Sequence, residues 1–329
     1  MQIVWDALKA RADELAQQGL SNEEIEKRLS ELDFTKIVSQ LTEEMASDYV
    51  DFFEKSMYEM VLEERAMSAE FIARNEQIWS KGFVASEVMY LITVESADSI
   101  GEYMVKQPEG TFKDRDYRCF VLRELHGRAC QQYLEILCLI KAGFADGAYA
   151  RWRSLYELSV IAEFISNNSE EVAKAYYSAS TTESNGHNWA KEAPCFSNVK
   201  GNITFSMLQR QCPFADDAWN SQYKLANKIV HGTPQGTFGR LCVGSAPINK
   251  IPAGRSDYGL GMPAVNAAIS LSMISASYFK LILSGDAIAY MQTLHKWTDI
   301  IRKIYSEIDT KCFNYDAQTE CSESSQCFN

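Results

Sequence analysis

The sequence predicts an all-α protein, specifically a multi-helix bundle. Apolar residues recur at spacings of three and four along most of the chain, which is the period of an amphipathic helix. Glycine and proline mark loops between these helical stretches, as Pro108 and Gly110 do. No stretch shows the apolar/polar alternation of a half-buried strand. The helices between the breaks therefore define the fold.

We divide the 329 residues into three regions. Residues 1–82 form an acidic N-terminal helical region, which includes the capping-box pattern Ser21-x-x-Glu24 and a long acidic run that closes at Gly82. Residues 83–309 form the helical core domain. Residues 310–329 form a polar tail that lacks apolar periodicity, and we expect this tail to be disordered.

A central antiparallel hairpin is the main predicted feature of the core. Helices over 115–141 and 148–166 are joined by a short turn containing Gly143 and Gly147. Long apolar-striped helices with so short a link lie antiparallel. Further predicted elements are a helix ending at His231, a long Gly/Pro-bearing loop over 235–262, and two final helices over 263–283 and 285–309.

Composition limits the functions that the chain can have. A formal charge of −12 and a pI near 5.0 argue against bulk binding of DNA or of an anionic membrane. The 264–283 segment is as long as a bilayer span, but its serines, Asn266 and Lys280 predict a buried core helix instead. Nine scattered cysteines without a CxxC pair fit a reducing cytoplasm, so we expect a cytoplasmic protein.

The stretch WNSQYKLANKIVHGTP (219–234) ends a predicted helix with a histidine. Gly232 offers a left-handed stop and Pro234 prevents continuation, so His231 occupies the end of the helix. Solvent can reach the imidazole ring there. A general acid or base is one interpretation of His231, and a C-terminal surface cap is the other.

A second cluster lies in the predicted hairpin, in RWRSLYE (151–157). Arg153 and Glu157 are four residues apart on an apolar face, and counting back through the turn places Arg153 near Glu135. A buried Arg–Glu network that holds the hairpin together is one interpretation. The other is that Arg153 presents its guanidinium to a phosphate or carboxylate near His231.

The remaining candidate residues are weaker. His126, flanked by Arg123 and Arg128, is assigned to a polar cleft or to a satisfied, partly buried position. His187 and His295 attract no functional assignment. The sequence has no HxH or HExxH spacing, Walker loop, GxGxxG or GxSxG motif, so we predict no metal and no cofactor.

Two segments together, ARWRSLYELSVIAEFI (150–165) and YKLANKIVHGT (223–233), resemble a bacterial helical family of unknown function. Members of that family carry an Arg-x-Leu-aromatic-Glu helix, matched here from Arg153 to Glu157. They also carry a later Ser/Asn-x-x-x-His helix end, matched from Asn227 to His231. The acidic N-terminal segment suits the same family, which extends the resemblance from residue 1 to about residue 305.

The second segment also resembles, more loosely, the HEPN domains (higher eukaryotes and prokaryotes nucleotide-binding), many of which are toxins or antiviral effectors that cut RNA. Their signature is an arginine followed, a few residues later, by a histidine near a helix end. Here Lys224 is the nearest basic match before His231, with Asn227 and Lys228 between them. A lysine lacks the planar guanidinium fork, which Arg153 would then supply from a neighbouring helix.

The function implied by this resemblance is metal-independent RNA cleavage in stress or phage defence, with a homodimer as the assembly. His231, Arg153 and Lys224 are the predicted catalytic residues. Predicted binding residues are Asn227, Lys228, Glu157, Tyr223 and His126. The alternative is a non-catalytic helical scaffold or sensor that binds a protein partner or a small ligand among aromatic side chains, with the 235–262 loop as a contact surface.

Overall fold

The computed structural model describes residues 2–182, 186–214, 217–231, 233–239 and 253–313. These residues are all-α: helices dominate them and they contain no strand, which confirms the predicted fold class. No helix among them is both long enough and apolar enough to cross a membrane. The chain divides into two compact units, Met1–Glu70 and Phe71–Asn329.

The first unit contains α1 (Gln2–Gln17), α2 (Asn22–Ser30) and the beginning of α3 (Phe34–Lys106). The capping box predicted at Ser21 is present, because the Ser21 hydroxyl accepts from the Glu24 amide and the Glu24 carboxylate accepts from the Ser21 amide. Gly19 ends the first helix region with φ of +83°, a conformation that favours glycine.

The expected break at Gly82 is wrong, because α3 runs through this position without interruption. Gly82 serves packing instead: a Cβ atom there would lie 2.8 Å from Cζ of Tyr305. The boundary between the two compact units correspondingly falls before Phe71 and not at Gly82. A glycine at a close helix–helix contact has the same sequence signature as a helix end.

The second unit is built around α4 (Asp116–Lys141), α5 (Ala145–Ser166) and α10 (Gly261–Phe279), which pack against one another. α4 and α5 are joined by residues 142–144, a shorter turn than the predicted 142–147. α10 is buried along most of its length, as expected for a core helix and not for a bilayer span. Two of its buried serines donate to carbonyl groups of the preceding turn, Ser275 to Leu271 at 2.8 Å and Ser277 to Met273 at 3.0 Å.

Shorter elements and one long helix complete this unit. They are α6 (Glu170–Ala179), a 3-10 turn (Asn188–Glu192), α7 (Phe205–Gln209), α8 (Asp217–Val230), α9 (Pro234–Phe238) and α11 (Gly285–Cys312). Part of the predicted 235–262 loop is therefore helical, because Thr233 caps α9 by accepting from the Gly236 amide. Residues 240–252 of that loop lie outside the described residues.

The tail begins later than the predicted Thr310, because α11 continues to Cys312. The ring of Phe313 stacks on buried Trp79 with 5.6 Å between centroids and contacts Tyr258 at 4.9 Å. A single aromatic residue after a polar helix end thus extends the ordered core. Residues 314–329, to which the rest of the disorder prediction applies, lie outside the described residues.

Candidate functional site on α5 and α8

Arg153 and Glu157 form an ion pair on α5, with 3.0 Å between Nη2 and Oε1. Their side chains are 27% and 31% exposed, so the pair lies at the edge of the core. The buried-network interpretation had placed it inside the core. The i, i+4 spacing places both groups on one helix face. Water reaches both side chains, which lowers the desolvation cost of this pair relative to a buried one.

Glu135 pairs with Arg151 and not with Arg153, which corrects the predicted partner. The reason is the register of the two helices. The connecting residues are 142–144, so Glu135 and Arg151 lie equally far from the centre of the turn at Gly143. Two more residues along α5, Arg153 points to a different face.

Tyr223 of α8 completes the cluster on α5. Its hydroxyl donates to Oε1 of Glu157 at 2.7 Å, and the guanidinium carbon of Arg153 lies 5.7 Å from the centroid of its ring. Burial and the hydrogen bond to Glu157 raise the pKa of Tyr223 to about 12. The tyrosine is therefore a neutral hydrogen-bond donor at physiological pH.

An aromatic wall surrounds this polar cluster on the core side. The rings of Tyr156 and Trp219 stack at 5.5 Å with 6° between their planes. Phe205 lies 5.1 Å from Tyr223, and Trp152 lies 5.8 Å from Trp219. These contacts hold the inner face of α8 against α5.

The outer face of α8 carries the other predicted residues. Lys224, Lys228 and His231 are all exposed, and their spacing of i, i+4 and i+7 places them in one row along the helix. Ala226, in contrast, is fully buried on the inner face. The row therefore presents two cations and an imidazole to solvent.

The structure does not bring this row to Arg153. His231 follows Tyr223 by eight residues, which at about 1.5 Å per residue is roughly 12 Å along the helix axis. No hydrogen bond or ion pair joins His231 or Lys224 to Arg153 in the described part of the chain. Arg153 is occupied by Glu157 and Tyr223, and so it does not form one cluster with His231 as predicted.

Hydrogen bonds to backbone carbonyl groups fix the conformation of the chain at the end of α8. The His231 amide donates to the Asn227 carbonyl at 3.1 Å, and the Thr233 amide donates to the His231 carbonyl at 2.6 Å. The Thr233 hydroxyl also donates to the Lys228 carbonyl. The chain then turns so sharply that a Cβ atom at Gly236 would lie 2.0 Å from the Lys228 carbonyl oxygen. The predicted stop at Gly232 lies outside the described residues.

His126 does not line a polar cleft, because it is 4% exposed inside the core. Its Nε2 lies 3.2 Å from the Ser275 hydroxyl, and its ring packs near Tyr278 and Phe279. Burial lowers the pKa of His126 to about 4. Its apolar neighbours come from α10, more than a hundred residues further along the chain. The flanking arginines therefore gave no indication that the His126 side chain is buried.

His187 is the site residue that the sequence analysis missed. Its ring packs against Phe205 at 6.1 Å and Trp189 at 6.4 Å. Burial lowers the pKa of His187, while the negative charge of Glu157 acts in the opposite direction. His187 is thus placed beside the Glu157 cluster by a loop whose polar composition gave no periodic signal.

One polar atom of the cluster stands out. The Nε atom of Arg153 is buried and has no hydrogen-bond partner among the described residues. A buried donor without an acceptor costs free energy that a bound acceptor would recover.

Across the described ranges, no three His, Cys, Asp or Glu side chains are arranged to hold a metal ion.

A protein-family model matches part of the chain. No curated protein and no solved structure matches the chain. The matched segment is 120–201, which includes Arg153, Glu157 and His187 but ends before α8. Residues 120–201 of this chain match the model of a family described as a family of unknown function, DUF5677.

Proposed function

We propose that the chain is a HEPN-like effector that cleaves RNA without requiring a metal ion, in stress or phage defence. The observation that supports this proposal is the exposed row of Lys224, Lys228 and His231 on α8. Two lysines beside an imidazole suit a phosphodiester backbone, since cations bind phosphate and histidine transfers protons near neutral pH.

The proposed reaction uses the 2′-hydroxyl of the RNA as the nucleophile. His231 takes the 2′-hydroxyl proton as the 2′-oxygen bonds to the adjacent phosphorus. The bond from phosphorus to the 5′-oxygen then breaks, and that oxygen takes a proton from solvent. The products are a 2′,3′-cyclic phosphate and a 5′-hydroxyl. Lys224 and Lys228 stabilise the charge on the phosphorane oxygens.

Arg153 acts in this proposal as a positioning residue. Its pairing with Glu157 and its contact with Tyr223 hold the inner face of α8, so that the outer row keeps a fixed geometry. Loss of Arg153 would then lower activity together with stability. Loss of His231 would lower activity alone.

The test uses purified full-length chain and end-labelled single-stranded RNA in buffer containing EDTA. We expect fragments ending in 2′,3′-cyclic phosphate, and a loss of roughly 10²–10⁴-fold in rate for His231→Ala. Lys224→Gln should weaken RNA binding. His295→Ala removes another exposed histidine, on α11, and should retain full activity.

Expression in cells provides the second measurement. Wild type and His231→Ala, at equal protein levels, are compared for growth and total-RNA integrity, with and without phage challenge or stress. Wild type that is harmless and cuts no RNA under any condition would contradict the ribonuclease proposal, as would a His231→Ala variant that is as active as wild type.

A second candidate function is a non-catalytic sensor that binds a small ligand at Arg153. The Nε atom of Arg153, which is buried and has no hydrogen-bond partner within the described part of the chain, favours it, together with the aromatic wall around Tyr223. Such a ligand would carry an acceptor group such as a carboxylate or phosphate. Thermal-shift titration with acetate and with inorganic phosphate tests this candidate: wild type should be stabilised, and Arg153→Lys should not respond.

A further inference from the structure

The middle of α3 exposes an unusual number of large apolar side chains. Phe53 is 51% exposed and Met57 is 46% exposed. Exposed apolar groups of this size seldom cluster on a protein that functions without a partner for them. The exposed apolar residues between 49 and 67 are Tyr49, Val50, Phe52, Phe53, Met57, Tyr58, Met60, Val61, Leu62 and Met67.

Most of these residues form one stripe with a coiled-coil repeat. Starting from position a at residue 50, the a and d positions alternate at intervals of three and four residues. They are occupied by Val50, Phe53, Met57, Met60, Glu64 and Met67. Tyr49 at g and Val61 at e widen the stripe. We call these eight residues the α3 seam.

The seam is long enough for a stable pairing. Its 19 residues from Tyr49 to Met67 span about 27 Å at about 1.5 Å per residue. Seven half-exposed apolar side chains offer on the order of 100 Å² each, or about 700 Å² per copy. A standard protein interface buries about 800 Å² on each partner.

The charges around the seam decide its occupant. Residues 43–70 contain nine carboxylates and two cations, a net charge of −7. Four of the nine carboxylates fall at b, c and f positions, which face away from a partner. In a parallel pair with an identical helix, each g residue meets the e residue five positions further on. Those meetings are Tyr49 with Glu54, Ser56 with Val61, and Glu63 with Ser68, and none of them joins two like charges.

We infer that the α3 seam binds the same seam of a second copy of this chain, as a parallel two-stranded coiled coil. An identical stripe is self-complementary under a twofold axis. This interface is built by the N-terminal unit and is independent of the proposed RNA cleavage. A basic helix from another protein would need acidic partners at e and g, where the segment 49–67 offers only Glu54 and Glu63.

Glu64 is the one charged residue at a core position of the seam. It is exposed in a single chain, where it lies within hydrogen-bond distance of the Ser68 hydroxyl at 3.3 Å. In the dimer two such carboxylates would face each other. Replacing Glu64 with leucine removes this repulsion and should therefore lower the dissociation constant of the dimer. We expect no such effect if the chains associate through another surface.

The test is sedimentation velocity on the full-length chain across a micromolar concentration series. We expect a dimer, and its dissociation constant should fall as salt rises from 50 to 500 mM because salt screens the acidic flanks. Glu64→Leu should lower the dissociation constant at least tenfold. Phe53→Glu and Met57→Glu should give monomers with unchanged helical circular dichroism.

Leu62→Glu is the matched control, since Leu62 is more exposed than Phe53 but lies at an f position. It should leave the dimer intact. A monomer at every concentration and salt, or a dimer that Phe53→Glu leaves unchanged, would overturn the inference. A wild-type monomer that binds a lysine-rich amphipathic helical peptide, more weakly as salt rises, would assign the seam to a basic partner instead.

Discussion

The hydroxyl of Tyr223 lies 2.7 Å from the carboxylate of Glu157, and this hydrogen bond joins α8 to α5. Glu157 already pairs with Arg153 within its own helix at 3.0 Å. One carboxylate thus receives a guanidinium from its own helix and a phenol from a helix 66 residues away. Arg153 and Glu157 both lie on α5, whereas Tyr223 lies on α8. The hydrogen bond from Tyr223 to Glu157 therefore depends on how α8 packs against α5.

Glu157→Ala should lower the free energy of unfolding by about 1–2 kcal/mol. The substitution leaves the Tyr223 hydroxyl without its acceptor and Arg153 without its partner, but both charged side chains are partly solvated. Urea denaturation measures the change. A double-mutant cycle with Tyr223→Phe should show a coupling energy of about 0.5–1.5 kcal/mol.

Glu171→Ala is the control for this cycle. Glu171 pairs with Lys174 on the surface, and both side chains are well exposed. Its loss should change stability by less than about 0.5 kcal/mol. Equal costs for Glu157→Ala and Glu171→Ala would show that the Glu157 cluster is an ordinary surface feature.

The Arg153–Glu157 pair could be predicted from sequence because it depends on a spacing of four within one helix. The inner face of α8 could be predicted for the same reason. The contact between Glu157 and Tyr223 could not, because spacing within one helix carries no information about which helices meet. The position of His187 could not be predicted for a similar reason: a loop places it beside Glu157, and helical spacing carries no information about loops.

Acid should destabilise the fold through His126. Burial lowers the pKa of His126 from 6.5 to about 4, so below pH 6.5 the unfolded chain binds a proton that the folded chain does not. Stability is then complete above pH 6.5 and falls as the pH approaches 4. The loss attributable to His126 at pH 4.5 is about 2–3 kcal/mol.

His126→Gln isolates this contribution, because glutamine does not titrate. Chemical denaturation at pH 7.5, 5.5 and 4.5 should show a shallower decline for the variant than for wild type. Parallel stability–pH curves for the two proteins would mean that His126 is solvated. Other groups that titrate in this range affect both curves equally.

Truncation after Phe313 should leave the fold intact, whereas truncation after Asp309 should not be neutral. The second truncation removes Phe313, whose ring stacks on Trp79 and contacts Tyr258. The loss of this aromatic packing should cost about 1–3 kcal/mol. Thermal denaturation of both truncated chains decides the matter. Equal melting temperatures would show that Phe313 contributes nothing.

Gly82→Ala should destabilise the protein although alanine is the better helix former. In an open helix interior this change stabilises by up to about 1 kcal/mol. At Gly82 the new Cβ atom would lie 2.8 Å from the ring of Tyr305. That ring cannot move freely, because it is buried, packs on Trp79 at 5.5 Å and shares a hydrogen bond of 3.1 Å with Ser86. Overpacking of this kind costs about 1–3 kcal/mol.

Gly101→Ala is the matched control, because Gly101 lies in the same helix and a Cβ atom there would have no neighbour within 4 Å. We expect Gly101→Ala to raise the free energy of unfolding and Gly82→Ala to lower it, both measured by urea denaturation. The opposite signs follow from one physical difference, the presence of Tyr305 at one site. If both variants were stabilised, α3 and α11 would not be in close contact at Gly82.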